Sequence, residues 1–186
     1  FDQEIPSEVA ELASMSMELM TFDGLDAFYN EADKKRAIET HLEGIITMLP
    51  WIALIDKFQH WIYTNPTHTS EQRENKWLEL HKELSNNIVC WENYEPYRKA
   101  MWQKQLHIFE VPFYYIEYGI AQLGAIAVWR NYKQNKTNAI EAYKNALQLG
   151  YTQPVPEIYK TAGISFNFSK EYVHELMDFL QKEITI

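Results

Sequence analysis

The chain has 186 residues, is 46% hydrophobic and 15% aromatic, and carries a formal net charge of −9. That length supports one domain, residues 1–186, with a core of its own, and the composition excludes a disordered chain. The acidic balance argues against non-specific nucleic-acid binding, which needs clustered Lys and Arg. The one cysteine, Cys90, excludes an internal disulfide framework and suits a reducing, cytoplasmic compartment.

The first residue is Phe1 rather than Met, and no basic-then-apolar leader precedes it. The chain is therefore expected to begin inside a longer polypeptide, or to have been trimmed. The longest apolar runs, 45–55 and 119–129, are too short to span a bilayer, and Pro50 and Gln122 interrupt them. A soluble protein with no membrane partner is expected.

Taken in order, residues 6–20, PSEVAELASMSMELM, read as a mostly buried helix. Val9, Leu12, Ser16 and Leu19 share one face, with Met20 beside them. Glu11, Ser14 and Glu18 gather on the other side, because seven residues make almost two turns. Residues 21–30 read as a turn around Asp23-Gly24. A long helical pattern follows over 31–64, with Ile38, Leu42, Ile45, Ile46 and Leu49 in register and Pro50 expected to kink or break it. Ser70 is placed as the N-cap of a helix over 71–88, whose end Asn86-Asn87 weakens.

Residues 90–105 are aromatic and irregular. Residues 107–112 are too short for a helix and read as extended. Pro112 is expected to open a helix reaching about 135, with small residues Gly119, Ala121, Gly124, Ala125 and Ala127 that allow close approach. A helix over 137–149 stops at Gly150, a short one over 157–162 stops at Gly163, and Ser169 caps the last, to 184. Almost nothing alternates with period two, so the expected class is all-α.

Two stretches carry residue types suited to chemistry. A carboxylate on a buried helix needs a hydrogen-bond partner, a cation or a metal, and Glu11 and Glu18 lie on one such line. On periodicity alone a solvated edge is the favoured reading. The stretch HIFEVPFYYIEYGIAQ, residues 107–122, places a histidine before three tyrosines. Tyr114 and Tyr118 are four apart and can face the same way. Read by themselves, they could be an aromatic stripe packing a helix interface.

Both stretches resemble the thimet oligopeptidase and oligoendopeptidase F family of zinc metallopeptidases. PSEVAELASMSMEL is similar to the segment that follows the family's HExxH zinc helix. The resemblance implies that Glu11 is the third zinc ligand and that Glu18 stands behind the ligands. His107 matches the family histidine that closes over substrate, and Tyr118 matches the tyrosine that donates to the developing oxyanion. The second tyrosine is Tyr114 or Tyr115, the spacing departing by one residue from the thimet-type pattern. ALQLGYTQPVPEIYKTAGISFNF, residues 146–168, resembles the family's C-terminal signature, with structural glycines.

No HExxH occurs. The look-alike His174-Glu175-Leu176-Met177-Asp178 has Asp in place of the second His, and Val173, Leu176, Met177 and Leu180 make an ordinary amphipathic face around it. His41, between Glu39 and Glu43, does not share a face with them. His60, His68 and His81 read as surface or packing residues.

The resemblance thus implies the C-terminal part of a peptidase catalytic domain. Oligopeptides would be its substrates and the N-terminal part of the same peptidase its partner. Zinc would bind weakly, or not at all, to this piece alone. The rival reading is a non-catalytic helical binding or scaffold module.

Overall fold

The computed structural model describes residues 5–86 and 88–184. Among these residues the regular structure is entirely helical: α1 (Ser7–Met20), α2 (Glu31–Thr64), α3 (Ser70–Leu84), α4 (Glu95–Ala100), α5 (His107–Glu110), α6 (Ile116–Gln134), α7 (Lys136–Gln148), α8 (Val155–Thr161) and α9 (Lys170–Ile184). Short 3₁₀ segments follow α1 at Thr21–Ala27 and α4 at Met101–Lys104. The expected all-α class holds.

Local chemistry explains most boundaries. The N-cap of α3 is Thr69, one residue before the Ser70 expected from sequence. Thr69 accepts from the Gln72 backbone N–H while its own N–H donates to the Gln72 side chain, a reciprocal capping box. Asn135 caps α7 by accepting from Asn138 N–H at 3.1 Å, and Ser169 accepts from Tyr172 N–H at 3.3 Å as α9 begins. Gly150 and Gly163 end their helices with φ of 53° and 76°, where a side chain would be strained. Asn87, expected to weaken the end of α3, lies outside the described residues.

Three expectations are revised. Pro50 does not break α2, which runs on for 34 residues. Buried Leu42 and Ile45 before it, and Ile52, Leu54, Ile55 and Phe58 after it, hold both halves helical. Pro50 and Ile46, whose carbonyl loses its helical donor, are both exposed, so water can replace the missing bond. Residues 107–110 form one helical turn rather than an extended strand. The following helix starts at Ile116 and not at Pro112, because Phe113 has left-handed φ of 64°.

The chain divides into two compact units. One comprises residues 1–45 and 120–186. In it α1 buries Val9, Leu12, Ser16, Leu19 and Met20, as its periodicity predicts. Tyr143 donates its hydroxyl to the Ala13 carbonyl at 2.8 Å, and Tyr132 and Lys136 both reach Asp23, at 2.9 and 3.0 Å. Burial pulls the Asp23 carboxyl up, but these two donors outweigh it and hold it below its ordinary value.

The other unit comprises residues 46–119 and is built on Leu54, Ile55, Phe58, Trp77, Leu80, Trp102 and Ile108. Its aromatic rings meet edge-on, Phe58 to Trp77 at 5.1 Å and Trp51 to Trp77 at 5.7 Å. Buried Arg98 donates to His81 Nδ1 at 2.9 and 3.2 Å, and the Arg98 carbonyl accepts from the Trp77 indole at 2.9 Å.

Candidate functional site

In the first unit, α1 carries both candidate carboxylates on one edge. Glu11 is half-buried and Glu18 is exposed, so the acidic line is wetter than a mostly buried helix implies. The Glu11 backbone is held by its helix, and the Ser14 hydroxyl also donates to its carbonyl at 3.1 Å. Leu12, the next residue, is buried against α6 and α8. A Cβ on Gly124 would stand 2.8 Å from Leu12 Cδ1 and from Tyr159 Cε1. α1 is thus set down tightly on a glycine, and Glu11 inherits that placement.

Glu18 lies 3.6 Å from His41 Nε2, and the His41 ring meets Phe22 edge-on at 5.3 Å. His41 turns to the carboxylate two turns along from Glu11, a pairing that no local spacing reveals.

In the second unit, the turn α5 and the start of α6 assemble an aromatic cage around His107. Its ring centre lies 4.9 Å from that of Tyr115, 5.8 Å from Tyr118 and 6.1 Å from Tyr114, the last in a stacked arrangement. Tyr118 also meets Tyr114 at 5.5 Å and Tyr115 at 5.4 Å. All four residues singled out in this stretch therefore come together. The backbone reason is Phe113. Its left-handed conformation is costly for a bulky residue, and the rings of His60 and Tyr63, each 5.0 Å away, hold it. The reversal brings the tyrosines back over α5.

The sequence reading missed two residues beside His107. Gln105 Nε2 lies 2.8 Å from His107 Nδ1, and the Trp51 indole N–H donates to Gln105 Oε1 at 3.1 Å. Trp51 is 54 residues from Gln105, so spacing offers no signal for it. Burial pushes the Tyr115 phenol above its ordinary value near 10, and the nearby Trp51 indole offsets part of that.

The HExxH look-alike in α9 has a different surrounding. Glu175 is exposed and paired with Arg130 at 2.9 Å, while Leu176 and Leu180 are buried. Among the described residues no group of three or more His, Cys, Asp and Glu side chains is placed to hold a metal. A catalytic zinc takes three protein ligands and keeps an open position. Glu11, a half-buried oxygen donor on a rigid helix, fits as one of three and cannot hold the ion by itself.

Comparison with known proteins identifies the family. The family model described as Peptidase family M3 matches residues 2–178. Among solved structures, a chain described as an oligoendopeptidase F superposes with a TM-score of 0.83 at 29% identity, covering 96% of this chain and 32% of that one. PZ peptidase A, solved with an inhibitor, gives 0.87 at 28% identity, covering 99% and 34%. An oligoendopeptidase F from Bacillus anthracis str. Ames gives 0.74 at 27%, covering 96% and 28%. The present chain spans about a third of the length of these chains. No curated protein matches it. A family match running from residue 2 to residue 178, on helices that superpose on three peptidase structures, places this chain in peptidase family M3.

Proposed function

We propose that the full-length protein is a zinc-dependent metalloendopeptidase that hydrolyses oligopeptides in the cytoplasm, and that this chain is the C-terminal part of its catalytic domain. The observation that carries the reading is the His107 cage. The His107 imidazole and two or three phenols converge on one spot, which suits donation to an oxygen that becomes negative.

In this reading Glu11 is the third zinc ligand, and Glu18, beside His41, stands behind the ligands. The zinc, when bound, would supply Lewis acidity and a more acidic water near neutral pH. The other two ligands and the general-base Glu would come from the N-terminal part of the same peptidase. His107 and Tyr118 hold the scissile carbonyl and donate to its oxygen as charge develops there, with Tyr114 as second donor. These donors need no reorientation as the charge appears, because His107, Tyr114 and Tyr118 already pack against one another.

The test is peptide hydrolysis by the full-length protein. His107→Ala should lower turnover by about 10²–10³-fold, and a zinc chelator should abolish it. Hydrolysis indifferent to both overturns the reading and favours a non-catalytic helical module. The 186-residue chain alone should be inactive and bind zinc weakly, because it offers one ligand of three.

A further inference from the structure

We infer that Gln105 and Trp51 are positioning residues that lock His107 in the Nε2–H tautomer. The inference rests on the reading of His107 as a donor to substrate, and it concerns which nitrogen can donate.

The chain of contacts decides the proton by elimination. The Trp51 indole nitrogen donates and cannot accept. The Gln105 atom 3.1 Å from it must therefore be the amide oxygen, which turns the amide NH₂ toward His107 Nδ1 at 2.8 Å. An amide NH₂ donates only. Nδ1 must accept with its lone pair, so in the neutral ring the proton sits on Nε2. The reverse tautomer would set an Nδ1–H against an N–H of Gln105 and leave Nε2 with no proton to give.

The lock is supported from both ends. Trp51 is half-buried, packs edge-on against Trp77 at 5.7 Å, and carries the Lys104 ammonium over its ring at 4.6 Å. Its indole is therefore not free to turn away from Gln105. Burial makes a mismatched amide costly. On the other side Tyr114, Tyr115 and Tyr118 fix the plane of the His107 ring. A wrong tautomer at a catalytic histidine is among the most damaging single changes an orienting residue can cause.

The experiment reads the tautomer directly. The chain is labelled with ¹⁵N-histidine, and His107 is assigned by its disappearance in His107→Ala. Long-range ¹H–¹⁵N spectra are recorded at a pH where the ring is neutral. The wild type should show a protonated-type shift at Nε2 and a bare-type shift at Nδ1. Gln105→Glu should invert the pair, because a carboxylate accepts from Trp51 and from an Nδ1–H alike. Trp51→Phe keeps a ring but frees the amide, and should give a mixture. A wild-type ring protonated at Nδ1, or a folded Gln105→Glu chain with the wild-type pattern, overturns the proposal. The wild-type spectrum alone tests it if either variant fails to fold.

In the full-length protein, Gln105→Glu should lower kcat by about 10²-fold or more with little change in KM. If His107→Ala leaves turnover unchanged, the catalytic reading of the cage fails while the tautomer still stands or falls on the spectrum.

Discussion

Gly124 meets Leu12 so closely that a single added methyl has nowhere to go: its carbon would lie 2.8 Å from Leu12 Cδ1, with Tyr159 Cε1 as near on the other side. Leu12 and Tyr159 are both buried, so neither can swing into solvent. Gly124→Ala should therefore lower stability by about 1–3 kcal/mol, the usual cost of overpacking. Gly44, also inside a helix, has nothing within 4 Å of an added Cβ. Gly44→Ala should be neutral or stabilising by about 0.5–1 kcal/mol. Urea denaturation of the two variants checks the contrast. Because Leu12 adjoins Glu11, Gly124→Ala should also weaken zinc retention in the full-length protein.

Two carboxylates set the proposed zinc ligand against the look-alike. Glu11→Gln should cost the full-length protein its zinc or most of its activity, since a neutral amide is a poor zinc ligand. Glu175→Gln removes one exposed ion pair with Arg130 and should leave zinc content unchanged, with stability altered by about 1 kcal/mol at most. Metal analysis of both proteins decides it. Equal zinc loss would make the α9 sequence a genuine site.

The three tyrosines should behave differently. Tyr118→Phe and Tyr114→Phe should each lower kcat by about 10²–10³-fold, as loss of one oxyanion donor does, with little change in melting temperature. The Tyr115 phenol is partly buried, which holds it above its ordinary value. Tyr115→Phe should instead cost about 0.5–1.5 kcal/mol of stability and leave turnover nearly intact. Steady-state kinetics and a melting curve on each variant separate the roles.

His81 makes stability depend on pH. Burial, and then the adjacent Arg98 guanidinium, hold its imidazole below the ordinary value of 6.5. The unfolded chain therefore takes up a proton before the folded one does. The stabilisation is fully present above pH 6.5 and is lost as pH falls from there toward the folded value. Unfolding free energy should decline through that window. His81→Asn keeps an acceptor near the Nδ1 position for Arg98 but has no charge to gain, and should flatten the decline. Tryptophan fluorescence follows it, since Trp77 and Trp91 both face the His81 ring at 6.0 and 5.8 Å. An unchanged slope in the variant would assign the pH dependence to other groups.

Much of the candidate site is legible in local sequence, and the legible part is periodic. Val9, Leu12, Ser16 and Leu19 announce the buried face of α1 through 3.6-residue spacing, which leaves Glu11 and Glu18 on the opposite edge. His107 and its tyrosines lie within twelve residues of each other, so one reversal of the chain gathers them. That reversal itself was missed, because Phe113 enters left-handed space only under the rings of His60 and Tyr63. Thr69 rather than Ser70 caps α3, because either hydroxyl satisfies the sequence pattern and only the Gln72 register chooses.

By itself, then, the sequence determined the all-α class, the helix periods, the glycine stops and the residues that resemble a peptidase site, because each depends on neighbours a few positions away. Tertiary structure alone decided that α2 continues through Pro50 on an exposed face, that the rings of Tyr114, Tyr115 and Tyr118 gather around His107, and that His41 answers Glu18. It also decided the proton on His107, through an indole 54 residues from the glutamine it orients. Hydrogen bonds between distant side chains have no period. They exist only once packing has brought donor and acceptor within about 3 Å of each other.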